Sequence, residues 1–343
     1  MRTMFARVAA LGVGLVACDY ASDRNVAPAP EASTPASVAA PPPAPPKPTP
    51  NEQFARASKS LATPWNAHNA VGVGALFEEH AKLLVSGFPI IEERSAIVAD
   101  AAATFARTPD LKIALTRTFL HGSDFVFQWV TSGTDKATGR PTGLSGISFV
   151  QFDDDGLIKE EHRYFDVPTL QSQLDPKAKA GTFRPPPPLP TGPVEAHLAR
   201  GTAEEAKALQ TANAFYKAFE SKGDITPFLT DATTSDDYTA PATVKGIKAN
   251  KDLAAGYWKT FPDLEQVKPF QFVADGFVIT EGVLTGTQKG PLGPVKPTNK
   301  QATLHFVDVI EIKDGKIVHL DTYGNSAEIL VAIGAMPRPT LAK

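Results

Sequence analysis

Two stretches of this chain repeat one another at a constant offset of 153. Pro109-Asp110-Leu111 is matched by Pro262-Asp263-Leu264, and Ser132-Gly133-Thr134 by Thr285-Gly286-Thr287, with an alternating polar–apolar run between them in both copies. A second echo follows at an offset of 159: Asp155-Gly156-Leu157-Ile158 against Asp314-Gly315-Lys316-Ile317, then Tyr164 against Tyr323. A period this long describes a duplicated domain, not a solenoid of short units. The 343 residues suffice for two domains, each with its own core.

Each copy begins helical and ends in strands. In the first, Ala55–Phe77 and Ser95–Arg107 have helical spacing, and Pro109 stops the second helix. Strands are expected at Ile113–Leu120, Asp124–Ser132, Ser145–Phe152 and Leu157–Phe165, with a helical turn at Leu170–Leu174. The second copy repeats the order with helices at 203–221 and 249–260 and strands at 265–273, 277–285, 302–312 and 316–323. Helices followed by an antiparallel meander make an α+β layout, a curved sheet wrapped around its helices. Boundaries follow from composition: 1–17 a signal peptide, 18–51 a Pro/Ala-rich tether, 52–180 the first domain, 181–201 a Pro-rich linker and 202–337 the second domain.

Arg2 and Arg7 precede an apolar stretch, Val8–Val16, too short to span a bilayer, and Ala17 precedes the lone cysteine, Cys18. Leu15-Val16-Ala17-Cys18 resembles the lipobox of bacterial lipoproteins, which implies cleavage before Cys18, its diacylation, and an exported protein held to a membrane at the periplasmic or cell-surface face. Two acyl chains give stable attachment at about 0.8 kcal/mol per buried CH₂. Ten of residues 25–50 are proline; such a segment cannot bury a core, and it reaches roughly 80 Å in polyproline II form. A net charge of −3 without a basic stripe argues against nucleic acid as a partner. The seven histidines are scattered, and no metal-ligand spacing, dinucleotide fingerprint or nucleophile elbow is present, so no metal and no cofactor are expected.

Trp65-Asn66-Ala67-His68-Asn69, Gly139-x-Pro141-Thr142-Gly143, the Gly-Thr turns, Phe261-Pro262-Asp263-Leu264 and the Asp-Gly-x-Ile hairpins followed by Tyr resemble the SnoaL-like polyketide cyclase and ester cyclase group of the nuclear transport factor 2-like superfamily. The resemblance covers nearly all of both copies. It implies two tandem cone-shaped α+β barrels, each enclosing a pocket for a small apolar or carbonyl-containing molecule, with acid–base chemistry that needs neither metal nor cofactor. It also implies pairing through sheets, so the copies are expected to form a pseudo-dimer within the chain, through the apolar row of Val318 and Leu320.

Residues two apart on a strand share a face. His162, Tyr164 and Asp166 therefore point together with Glu160, and the resemblance implies that they line the first pocket, Asp166 as acid/base, His162 as its partner and Tyr164 as oxyanion donor. The substrate-binding candidates are Trp65 and Trp129 as pocket wall, with Tyr323 and Asp321 in the second copy, where Asn325 replaces Asp166. The family's turn histidine is absent at Asp135 and Gln288. Two functions follow: a cyclase, isomerase or hydrolase acting in the first domain, or a ligand-binding or scaffold lipoprotein without catalysis.

Overall fold

The computed structural model describes residues 49–338. The signal segment, Cys18 and most of the tether lie outside the described residues. Domain 1 opens with three short helices, α1 (Pro50–Ser60), α2 (Ala62–Asn66) and α3 (Ala70–Gly74), where the sequence predicts one long one. Pro64 has no N–H to continue the ladder from α1, and His68 takes a left-handed φ of 51°, which ends the run. Asn69 then caps α3 by accepting the Gly72 N–H. The remaining elements are β1 (Phe77–Val85), β2 (Ile91–Glu92), α4 (Arg94–Arg107), β3 (Lys112–His121), β4 (Asp124–Thr134), β5 (Pro141–Thr142), β6 (Ser145–Phe152), β7 (Ile158–Tyr164), α5 (Val167–Leu174) and β8 (Glu195–Leu198).

Domain 2 follows with α6 (Ala203–Glu220), β9 (Thr234–Asp237), β10 (Val244–Lys245), α7 (Gly246–Thr260), β11 (Glu265–Ala274), β12 (Phe277–Thr287), β13 (Gln301–Lys313), β14 (Lys316–Gly324) and α8 (Ala327–Ala332). Both domains begin on the same device. Thr49 and Thr202 each accept the N–H of a glutamate three residues on, Glu52 or Glu205, whose carboxylate takes the threonine N–H in return. Such capping boxes satisfy donors that a helix start leaves free.

The sheets run β2-β1-β7-β6-β4-β3-β8 and β10-β9-β14-β13-β12-β11, with β5 paired to β4. The four-strand meander of each is antiparallel, while β1 joins β7 and β9 joins β14 in parallel. Neither sheet closes on itself, so each is an open layer and not a barrel. The expected linker holds a strand: β8 adds to β3 in parallel. From the same segment Arg184 reaches Asp236 at 2.7 Å and the Ala240 and Asp237 carbonyls, fixing the proline-rich stretch to domain 2.

Each sheet has helices on one face and the other sheet on the opposite face. Phe54, Leu61, Ile97, Ala101 and Phe105 of α1–α4 pack on Leu115, Phe125, Phe127 and Trp129. Ala208, Ala212, Phe215 and Ala254 of α6 and α7 pack on Val278, Ile310 and Ile317. Between the sheets, Phe119, Val126, Ile147, Phe149 and Tyr164 meet Phe272, Phe277, Ile279, Val307, Val309 and Tyr323 in one buried cluster. Burial of a large apolar side chain contributes about 1.5–3 kcal/mol, so this seam binds the halves strongly.

One cross-strand pair shows how the duplicated sheets tolerate change. Trp129 stands opposite Gly146, and Gly282 opposite Phe306; an offset of 153 takes Trp129 to Gly282, and one of 160 takes Gly146 to Phe306. The aromatic residue and the glycine have exchanged strands between the domains, and in each the ring covers the space a Cβ would fill. A Cβ on Gly146 would stand 2.2 Å from the Trp129 ring. Gly146→Ala is therefore expected to destabilise the protein by about 1–3 kcal/mol through overpacking, read from urea unfolding; unchanged stability would show that the ring is not held there.

Candidate functional site

A bulge in each terminal hairpin decides which way the predicted site residues face. Gln151 pairs with Glu160 but Phe152 with Ile158, leaving Lys159 over; Glu311 pairs with His319 but Ile312 with Ile317, leaving Val318 over. One extra residue reverses the alternation. Ile158 and Ile317 line the hollows beneath their helices, and beyond the bulges so do Glu161, Arg163 and Phe165 in domain 1 and Leu320 and Thr322 in domain 2. Glu160, His162 and Tyr164, like His319, Asp321 and Tyr323, turn to the opposite face, where the sheets meet. The sequence-based orientation is thus inverted, and Leu320 belongs to a hollow and not to the seam.

At the seam these side chains form two matching clusters. Glu281 accepts from His162 Nδ1 at 2.9 Å and from the Tyr164 hydroxyl at 2.6 Å. Gln128 Nε2 donates to Asp321 at 3.0 Å and to the Tyr323 hydroxyl at 2.9 Å. The two sets are counterparts: 128 plus 153 is 281, while 162 and 164 plus 159 are 321 and 323. The charge has changed sides, a carboxylate at Glu281 in one cluster and at Asp321 in the other. Asp321 is also met by Arg117 at 3.1 Å, His319 at 3.0 Å and the Tyr238 hydroxyl at 3.1 Å. Burial opposes its ionisation, but these donors prevail and its pKa is lowered.

Asp166 and Asn325 are likewise counterparts across the seam. Asp166 is buried and caps α5 by accepting the Thr169 N–H, while Ser326 donates both its N–H and its hydroxyl to the same carboxylate. Asn325 accepts the Val167 N–H and donates to the Ser86 carbonyl. Asp166 therefore ties helix ends together and faces neither hollow, which removes the geometry that acid/base work beside His162 and Tyr164 requires. Burial still raises its pKa. Tyr323 and Asp321 leave the substrate wall for the same reason, whereas Trp65 and Trp129 do line the domain 1 hollow.

The hollows differ in size and chemistry. That of domain 1, about 260 Å³, is walled by Trp65, Phe88, Phe127, Trp129 and Phe165, with Asp100, Glu161 and Arg163 among them. Arg163 is held by Glu161 through two bonds of 2.9 and 3.0 Å. That of domain 2, about 90 Å³, is lined by Tyr216, Tyr257, Asp237, Asp308 and Thr322 among apolar residues. Asp308, Thr322 and Asp237 are neighbours across β13, β14 and β9. Asp308 accepts from the Tyr216 hydroxyl at 2.8 Å and from the Thr322 hydroxyl at 2.6 Å; Asp237 accepts from the Tyr257 hydroxyl at 2.5 Å and from the Thr239 hydroxyl at 2.7 Å.

Burial pushes the Asp308 carboxyl up to about 6, against the hydrogen bonds from Thr322 and Tyr216. Burial, reinforced by the adjacent carboxylates, keeps Tyr216 and Tyr257 protonated, with pKa values well above the usual phenol range. In domain 1 the three positions of that row are Ser148, Arg163 and Val85. The domain 2 cluster was missed from sequence, although it left one signal: Asp308 is a lone acid within the apolar run Phe306-Val307-Asp308-Val309-Ile310. Elsewhere Asp236, His319 and Asp321 bring ligand atoms within 4.8 Å of one another, but Arg184 and Arg117 already occupy the two acids.

The seam has a pH signature. His162 is raised to about 9, first by its hydrogen bond to Glu281, against burial, and further by Glu160. A folded pKa above the unfolded value of about 6.5 gives stability that is complete below pH ~6.5 and is lost as pH rises through about 9. Glu281→Gln should flatten that decline, leaving the smaller part due to Glu160. Urea unfolding of both proteins between these pH values measures it, and equal slopes would mean that the Glu281 bond does not hold the charge.

Family matches fall on both domains. The SnoaL-like polyketide cyclase family matches residues 210–333 and the SnoaL-like domain family residues 59–161. Among solved structures, a Jannaschia sp. CCS1 protein assigned as a SnoaL-like polyketide cyclase is similar at 22% identity, over 40% of this chain and 99% of its own, with a TM-score of 0.38. IdmH of Streptomyces antibioticus, assigned as a polyketide cyclase, is similar at 19% over 37% and 98%, TM-score 0.34. A phenazine biosynthesis-related protein of Pseudomonas aeruginosa is similar at 20% over 41% and 92%, TM-score 0.35. No curated protein matches. The chain belongs to the SnoaL-like family and carries two of its domains in tandem.

Proposed function

We propose that domain 2 is an acid–base catalyst that moves a proton on a small carbonyl compound, as an isomerase or cyclase does. The observation that carries this reading is the row Asp308–Thr322–Asp237, with Tyr216 and Tyr257 on its two acids, inside an otherwise apolar hollow. A carboxyl group with a pKa of about 6 is ionised near neutrality yet basic enough to take a proton. Asp308 removes a proton from the carbon beside the carbonyl, and the C–H electron pair becomes the enolate. One negative charge leaves Asp308 as one appears on the substrate oxygen, so the net charge of the hollow is unchanged. A tyrosine hydroxyl, turning from its carboxylate, donates to that oxygen, and Asp308 returns the proton at a second carbon.

The volume limits the substrate. About 90 Å³ is less than the ~150 Å³ cavity that takes benzene, so the reading favours a short-chain compound or one that widens the site. Domain 1, with Ser148, Arg163 and Val85 in the corresponding row, is assigned to ligand holding, which keeps the non-catalytic alternative for that half. The reciprocal bonds at the seam support reading the two domains as a pseudo-dimer within one chain, since a two-fold interface pairs equivalent residues both ways. The lipobox at Leu15–Cys18 and the proline-rich tether support an exported, lipid-anchored protein.

The test is deuterium incorporation from D₂O beside the carbonyl across a panel of small ketones, esters and enones. Asp308→Asn should slow exchange by about 10²–10⁴-fold. Because the base is the ionised form, the wild-type rate should rise with pH through about 6. Exchange as fast in Asp308→Asn, or a rate that falls over that range, would remove Asp308 from the role.

A further inference from the structure

The domain 1 hollow lacks the acid row but contains a carboxylate of its own. Asp100, on α4, lines the hollow and is half-buried. Among the described residues no hydrogen bond or ion pair reaches its carboxyl group. The other charged groups of the hollow are matched: Arg163 is gripped by both Glu161 oxygens, and Arg107 pairs with Asp135 at 2.9 Å. One carboxylate is therefore in surplus. A charge against apolar walls is costly until something compensates it, and burial, more than the attraction of Arg163, sets the Asp100 pKa above the ordinary range. The walls themselves suit a cation, because Trp65, Phe88, Phe127, Trp129 and Phe165 are aromatic and the face of an aromatic ring attracts positive charge.

We propose that the domain 1 hollow is a separate binding site for a small organic cation, a protonated amine on an apolar body, with Asp100 as its counter-charge. The volume of about 260 Å³ exceeds the ~150 Å³ that admits benzene, so a ring bearing an ammonium group fits. A carboxylate ligand lacks a partner of comparable quality: Arg163 is engaged by Glu161, and its guanidinium lies 5.6 Å over the Trp65 ring.

The test is isothermal titration of the full-length chain with benzylamine, benzyl alcohol and benzoate, which share a ring and differ in charge. Benzylamine should bind about tenfold more tightly than benzyl alcohol, and benzoate more weakly than either. Asp100→Asn should remove the preference without lowering the melting temperature, while Asp100→Glu, which keeps the charge, should retain it. The proposal is overturned by benzoate binding best, by a preference that survives in Asp100→Asn, by Asp100→Glu losing it as fully as the asparagine variant, or by no binding of benzylamine at millimolar concentration.

Discussion

The structure depends on two carboxylates held where the sheets meet, Asp321 fully buried and Glu281 partly so. Glu281 sits against His162 and Tyr164, and Asp321 against Gln128 and Arg117. Such groups are tolerated away from water only when fully partnered, and here both partners of Glu281 and two of the partners of Asp321, Arg117 and Gln128, come from the other domain. The requirement fixes more than the seam. A strand that commits alternate side chains to one face commits the others to the opposite face, so Glu161 and Arg163 in β7, counted from the bulge, and Thr322 in β14 go to the hollows by default. Joining the halves and furnishing the cavities are one choice of register.

The duplication shows what each half has kept. On the seam face the two copies match in role with the charges exchanged, as the 128/321 and 281/162 pairs do. On the hollow face they diverge: Asp308, Thr322 and Asp237 against Ser148, Arg163 and Val85. Symmetric demands preserve residues at the seam, because any change there meets its counterpart across the interface. The hollows face only their own helices and are free to differ in volume, polarity and charge, which is how one fold can hold a buried acid pair in one half and an aromatic chamber in the other.

The sequence made the duplication, the α+β order and the meander strands readable, because these follow from periodicity and local chemistry. It did not reveal the bulges at Lys159 and Val318. Nothing in Asp155-Gly156-Leu157-Ile158 or Asp314-Gly315-Lys316-Ile317 states how many residues the hairpin leaves unpaired, and one residue inverts the face. His162 and Tyr164 share a face of β7, which is the seam and not the pocket, and Asp166 lies beyond the strand as the cap of α5. β1, β2, β9 and β10 were also missed: these are short or mixed in pattern, β1 and β9 being stabilised by pairing with β7 and β14, and β2 and β10 by pairing with β1 and β9, not by their own propensity. The acid row of domain 2 joins the β13–β14 hairpin to β9, which lies far upstream in sequence, so only its member inside an apolar run, Asp308, left a trace.

The central claim, that the histidine–tyrosine–acid rows join the domains and leave the hollows to the opposite rows, is most directly tested by a double-mutant cycle between Tyr164→Phe and Glu281→Ala in urea unfolding. Residues sharing a buried hydrogen bond couple by about 0.5–3 kcal/mol, and separated ones add within about 0.3–0.5 kcal/mol. The account predicts coupling in the first range. Additive losses would place Tyr164 and Glu281 apart and return the tyrosine row to the cavity.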